Sequence, residues 1–97
     1  MAVVVVHQGP SLTQDAYEQA VQRITDGKSR LESASDWPVE GLLVHTAGQG
    51  SSGFRVVDVW ESEDAFKKFG ETLGPVLQEL GVDDPPEVYP PHTIVVA

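Results

Sequence analysis

Hydrophobic positions along the chain fall into two rhythms, and each predicts a kind of element. Residues Ala2 to His7 form a continuous apolar run dominated by valine, which predicts a strand buried on both faces. Gly9-Pro10 ends it. Ser11 and Gln14 have the spacing of a capping box, and Ala16, Tyr17, Ala20, Val21 and Ile24 follow at helical intervals. Gly27 is the expected terminator, with Leu31 as a point where the helix extends or restarts. Ser33 to Asp36 with Trp37-Pro38 reads as a connection. Val39 to Thr46 predicts a second strand, Ala47 to Gly53 a flexible hairpin loop, and Phe54 to Trp60 a third strand paired antiparallel to the second. Ser62 is a good N-cap, followed by the stripe Ala65, Phe66, Phe69, Leu73, Val76, Leu77 and Leu80. Gly74-Pro75 should bend this helix and Gly81 should stop it. An acidic loop from Val82 to Glu87 precedes a last strand within Val88 to Val96, which Pro90-Pro91 confines to Ile94-Val95-Val96.

The order β-α-β-β-α-β predicts an α+β fold of the ferredoxin-like kind, with a four-stranded antiparallel sheet. At 97 residues, the chain fits one domain spanning 1–97. Two helices can hide one side of such a sheet, yet the first strand has no polar face. A second copy is therefore expected on the other side, as a homodimer.

Charge narrows the partners. Six Lys and Arg oppose fifteen Asp and Glu, a formal charge of −9. A nucleic-acid partner is excluded for want of a basic footprint, and anionic membrane surfaces should repel the chain. The valine run is too short to span a bilayer and lacks a basic flank. With no cysteine present, disulfides, thiolate nucleophiles and cysteine metal sites are excluded. A soluble, cytoplasmic protein is expected.

The candidate site residues are polar groups set among apolar strands: His7, His45, Asp58 and His92. Alternation places Phe54, Val56, Asp58 and Trp60 on one face of the third strand, with Arg55, Val57 and Val59 on the other. A hairpin symmetric about Gly50 puts His45 with Arg55, whereas a one-residue shift or a bulge puts it beside Asp58. A carboxylate near an imidazole in an apolar pocket tunes either group for proton abstraction. On that reading Asp58, His7 and His45 are the catalytic candidates, and Trp60, His92 and Phe54 the substrate-binding ones. On the structural reading Asp58 satisfies backbone or Arg55-type partners, Trp60 is core, and the histidines are hydrogen-bonded structural residues. No metal is expected, because no histidine pair has a local ligand spacing. The run Gly48 to Gly53 lies between antiparallel strands, so it is no phosphate loop, and Ser51 and Ser52 lack a nucleophile's setting.

The stretch Phe54-Arg55-Val56-Val57-Asp58-Val59-Trp60-Glu61-Ser62-Glu63-Asp64-Ala65-Phe66 resembles the strand-into-helix signature of small dimeric α/β-barrel proteins of the antibiotic-biosynthesis-monooxygenase-like group. Tyr89-Pro90-Pro91-His92 is similar to the group's closing segment. The resemblance implies two chains packed sheet against sheet. It also implies a pocket in each protomer for a small apolar or aromatic molecule. Two activities follow as expectations: cofactor-independent oxygenation of a phenolic or polyketide-like compound, or a related isomerase or cyclase reaction. Asp58 or a histidine would be the base and Trp60 would shape the cavity. A non-catalytic, stress-associated or ligand-sensing barrel is the rival. Haem-degrading relatives of the group carry an axial histidine on the second helix, where this chain reads Phe66-Lys67-Lys68-Phe69-Gly70, so no haem is expected.

Overall fold

A computed structural model describes residues 1–25, 27 and 31–96. The elements are β1 (Val3–Gln8), α1 (Gln14–Ile24), a 3-10 turn at Ala34–Asp36, β2 (Leu42–Gly50), β3 (Gly53–Trp60), α2 (Glu63–Glu79) and β4 (Glu87–Tyr89). The strands form one antiparallel sheet in the order β2-β3-β1-β4. This is the ferredoxin-like α+β fold that the order of elements predicts.

Both helices lie on one face of the sheet. Val3 and Val5 of β1 and Trp60 of β3 pack with Val21 of α1, Trp37, and Ala65 and Phe69 of α2 in a single core. Trp60 and Phe69 are its largest fully buried side chains and stack with ring centroids 5.1 Å apart. The valine run is buried from Val3 to Val6, on both faces. Val4 and Val6 lie on the far side, between Val59 and Val57 of β3 and Tyr89 and Glu87 of β4.

Three local expectations need correction. The cap of α1 is Thr13, whose hydroxyl accepts from the Ala16 amide at 3.1 Å. Ser11 is engaged elsewhere: its amide donates to Asp84 Oδ2 at 2.9 Å and its hydroxyl also donates to that oxygen. The Ser11 hydroxyl in turn accepts from the Asp83 amide at 3.1 Å. Second, β2 does not begin at Val39. It starts at Leu42 and absorbs most of the presumed loop, leaving Ser51-Ser52 as the turn.

The α2 helix continues through Gly74-Pro75 as one element, with both residues on its exposed side. The missing proline N–H removes one hydrogen bond from a helix anchored elsewhere by Ala65 and Phe69. Third, the last strand is Glu87–Tyr89, not Ile94–Val96, which is exposed and outside the sheet. Pro90 can donate nothing to a ladder, so pairing with β1 stops at Tyr89.

Candidate functional site

The strand register brings the site together. Across β2 and β3 the pairs run Gly50↔Gly53, Ala47↔Val56 and His45↔Asp58. The turn is therefore centred between Ser51 and Ser52 and not on Gly50. That displacement changes the parity of the pairing and places His45 opposite Asp58. Near the start of β2 the register slips between Leu42 and Val44, leaving Leu42 opposite Trp60. On the other side of β3, Val5 opposes Asp58 and His7 opposes Val56. His45, Asp58 and His7 thus come from three adjacent strands and point to the helix-covered side.

A hydrogen-bonded chain runs from helix to sheet. Asp58 Oδ1 lies 2.5 Å from His45 Nδ1, and His45 Nε2 lies 2.7 Å from the Tyr17 hydroxyl. Asp58 is 2% exposed, so its carboxylate is shielded from water. A carboxylate can only accept, which puts the imidazole proton on Nδ1 and leaves Nε2 to accept from Tyr17. The Tyr17 ring stacks on His45 at 5.9 Å and packs on Phe54 at 5.2 Å. Trp37 closes another side, with its ring 5.2 Å from His45 and 4.8 Å from Phe69.

Electrostatics follow from this burial. Desolvation, reinforced by the Asp58 charge, pushes the Tyr17 hydroxyl up to about 12, so it remains a phenol at neutral pH. Burial lowers the His7 imidazole below its ordinary value; Asp58 opposes that shift and His45 adds to it. Among the described residues His7 makes no side-chain hydrogen bond, and no group of three His, Asp or Glu side chains is arranged to hold a metal ion.

Two spaces adjoin both Tyr17 and His45. The inner one, between sheet and helices, is about 40 Å³ and is walled by Ala20, Val21, Val56 and Leu77, with His7, Asp58 and Trp37 also facing it. The outer one is about 350 Å³ and is lined by Gln14, Glu18, Leu31, Gln49 and Phe54. Tyr17 and His45 line both, and so form the partition.

The structure therefore brings His7, His45 and Asp58 to one place and separates the other candidates. Phe54 faces the outer groove. Trp60 lines neither space, and His92 is exposed beyond β4. Tyr17 and Trp37 complete the site without having been singled out by the sequence. Tyr17 carries the one polar tip on the apolar stripe of α1, and Trp37 is a large aromatic in an otherwise polar connection; each is a usable signal in retrospect.

Fold and site together define a ferredoxin-like α+β domain with a Tyr-His-Asp chain beneath its helices. No family model matches this chain, and no curated protein matches it. Among solved structures it is similar to a monooxygenase from the gene ActVA-Orf6 of Streptomyces coelicolor, determined in complex with the ligand Nanaomycin D. The two share 21% identity over 99% of this chain and 91% of that one, with a TM-score of 0.46. The fold assignment here stands on the strand register, and the chemistry on the residues around the cavity.

Proposed function

We propose that this protein is a cofactor-independent oxygenase acting on a phenolic, polyketide-like compound, and that it works as a homodimer. The observation that carries the reading is the Tyr17–His45–Asp58 chain, placed where a groove large enough for an aromatic molecule meets a small apolar interior cavity.

The mechanism begins with deprotonation. A substrate phenol in the outer groove gives its proton to the Tyr17 oxygen while Tyr17 passes its own to His45 Nε2. Asp58 stabilises the imidazolium that results. A concerted transfer avoids a free tyrosinate, as a hydroxyl held near 12 requires. The electron-rich phenolate then reacts directly with dioxygen. One oxygen atom enters the ring, the other leaves as water, and the substrate supplies all the electrons as it becomes a quinone.

The dimer is supported by the helix-free side of the sheet. Val44, Val57 and Val59 lie there half-buried, Tyr89 borders them, and Ile94, Val95 and Val96 are exposed beyond. A second reading, ligand binding without turnover, is favoured by the small interior space.

The test is to incubate the purified protein with 1,8-dihydroxyanthrone and air, with no cofactor added, following oxygen uptake and quinone absorbance. Quinone formation matched mole for mole by oxygen uptake, above the protein-free rate and lost in His45→Ala, is the expected result. Binding of the anthrone with no turnover would replace the oxygenase by the ligand-binding reading.

A further inference from the structure

The partition formed by Tyr17 and His45 separates spaces of very different size and lining. The inner cavity, at about 40 Å³, exceeds the roughly 10–15 Å³ that a single water requires and falls well short of the roughly 150 Å³ associated with binding benzene. An aromatic substrate does not fit it. A diatomic molecule does. Its walls are chiefly aliphatic or aromatic, including Leu12, Ala20, Val21, Val56, Phe69 and Leu77.

The polar groups that face this cavity are largely committed. His45 spends Nδ1 on Asp58 and Nε2 on Tyr17. Among the described residues Trp37 has a buried indole N–H with no hydrogen-bond partner, yet the ring presents apolar surface to Phe69 and His45. His7 also makes no side-chain hydrogen bond among the described residues. The lining is apolar over most of its area, which leaves little surface at which a buried water finds its two to four polar partners. Size and lining both favour a small apolar occupant.

We propose that the inner cavity is a binding site for dioxygen, held behind the Tyr17–His45 pair while the phenol occupies the outer groove. The two reactants then approach the partition from opposite sides. Dioxygen is then held on the apolar side of the partition, beside the pair that activates the substrate. Naming dioxygen rests on the oxygenase reading above, whereas the existence of an apolar gas site does not.

Xenon is the probe, because it is apolar, close in size to the cavity and chemically inert. Under increasing xenon pressure, the ¹³C methyl resonances of Ala20, Val21, Val56 and Leu77 should shift and saturate, while those of Val57 and Val59 on the far side of the sheet stay in place. Val56→Ile and, separately, Val21→Ile each add a methyl group to the wall and should reduce the saturating response at least fivefold. Using two variants keeps the test intact if one fails to fold. No methyl response, an equal response on both sides of the sheet, or an undiminished response in both folded variants would overturn the gas site.

The oxygen assignment has its own readout. With 1,8-dihydroxyanthrone turnover, the same variants should raise KM for dioxygen at least threefold relative to KM for the anthrone. Xenon binding with an unchanged KM for dioxygen would overturn dioxygen as the occupant. Xenon binding in a protein that turns over no phenol would reject the oxygenase and the dioxygen assignment together, leaving an apolar gas cavity.

Discussion

His45 and Asp58 face each other directly across β2 and β3, with imidazole Nδ1 2.5 Å from the carboxylate Oδ1. Strand pairing holds them in register, and Trp37 and Tyr17 flank the imidazole. The ring is thereby fixed in one orientation, with Nε2 presented to the Tyr17 hydroxyl. An imidazole oriented by a buried acid is the shared element of base-activated sites.

Asp58→Asn keeps the shape of the side chain and removes the charge that orients His45. Turnover of a phenolic substrate should fall by about a thousandfold or more, since the imidazole loses both its tautomer and the partner of its protonated form. Unfolding free energy should drop by only about 1–3 kcal/mol. Parallel rate measurements and denaturant titrations check both parts. Activity within tenfold of the parent, in a folded variant, would remove Asp58 from the mechanism.

Tyr17→Phe deletes one oxygen atom and keeps the ring that packs on Phe54 and His45. Substrate protons then lose their relay to Nε2. A decrease of about a hundredfold in kcat is expected, with stability lowered by less than about 1.5 kcal/mol. Stopped-flow rates beside thermal melts separate this from a packing defect, which would lower the melting temperature instead.

His7 titrates against stability in a definite direction. Its folded-state value lies below the ordinary 6.5 because burial disfavours the cation. The unfolded chain therefore takes up the proton first as pH falls. The contribution is fully present above about pH 6.5 and is lost progressively below it, with a limiting slope of about 1.4 kcal/mol per pH unit. His7→Leu should flatten the fall in unfolding free energy between pH 6.5 and 5. Taking the difference between the two proteins cancels the other titrating groups to first order. A slope identical to that of the parent would mean that His7 is equally easy to protonate in both states.

Gly9 stands where two loops touch. Its φ is +154°, and a Cβ at that position would collide with the Asp84 side chain, which is engaged with Ser11. The Ser11 hydrogen bonds hold the Asp84 carboxyl below its usual range. Gly9→Ala should therefore cost about 1–3 kcal/mol, from backbone strain and displacement of the carboxylate. Adding Asp84→Gly should restore part of the loss, because it removes every side-chain atom, Cβ included, that the new methyl would meet. Thermal melts of the single and double variants decide, and strict additivity would rule out the steric cause.

Val57→Glu places a negative charge on the helix-free side of the sheet, where Val57 neighbours Val6 and Thr46. In a two-fold dimer closed over that face the charge is buried and meets its own copy. The parent should show a native mass of twice 10.5 kDa and the variant a mass of one chain, with unchanged circular dichroism. A parent already at the mass of one chain would end the dimer proposal.

Much of the fold is legible along the chain because its elements are encoded locally. The two helical stripes, the doubly buried valine run and the Ser62 cap all correspond to what forms, and the alternation of β3 correctly groups Phe54, Val56, Asp58 and Trp60 as its buried face. Local rules misplace β4, because Ile94-Val95-Val96 has a stronger strand composition than Glu87–Tyr89. Edge pairing is decided by reach to β1 and by Pro90, not by propensity. They also misassign Ser11, whose composition suits a cap while a residue 73 positions away claims its hydroxyl.

The candidate site divides along the same line. By itself the sequence determined the order of elements, the acidic and cysteine-free character, and that Asp58 and Trp60 share a face of their strand, all properties of neighbours in the chain. Tertiary structure alone decided that the turn centres between Ser51 and Ser52, that His45 therefore meets Asp58, and that Tyr17 descends from α1 onto the imidazole. The physical reason is parity. A displaced turn centre exchanges the two faces of a strand, and its position depends on the summed pairing and packing of the whole sheet.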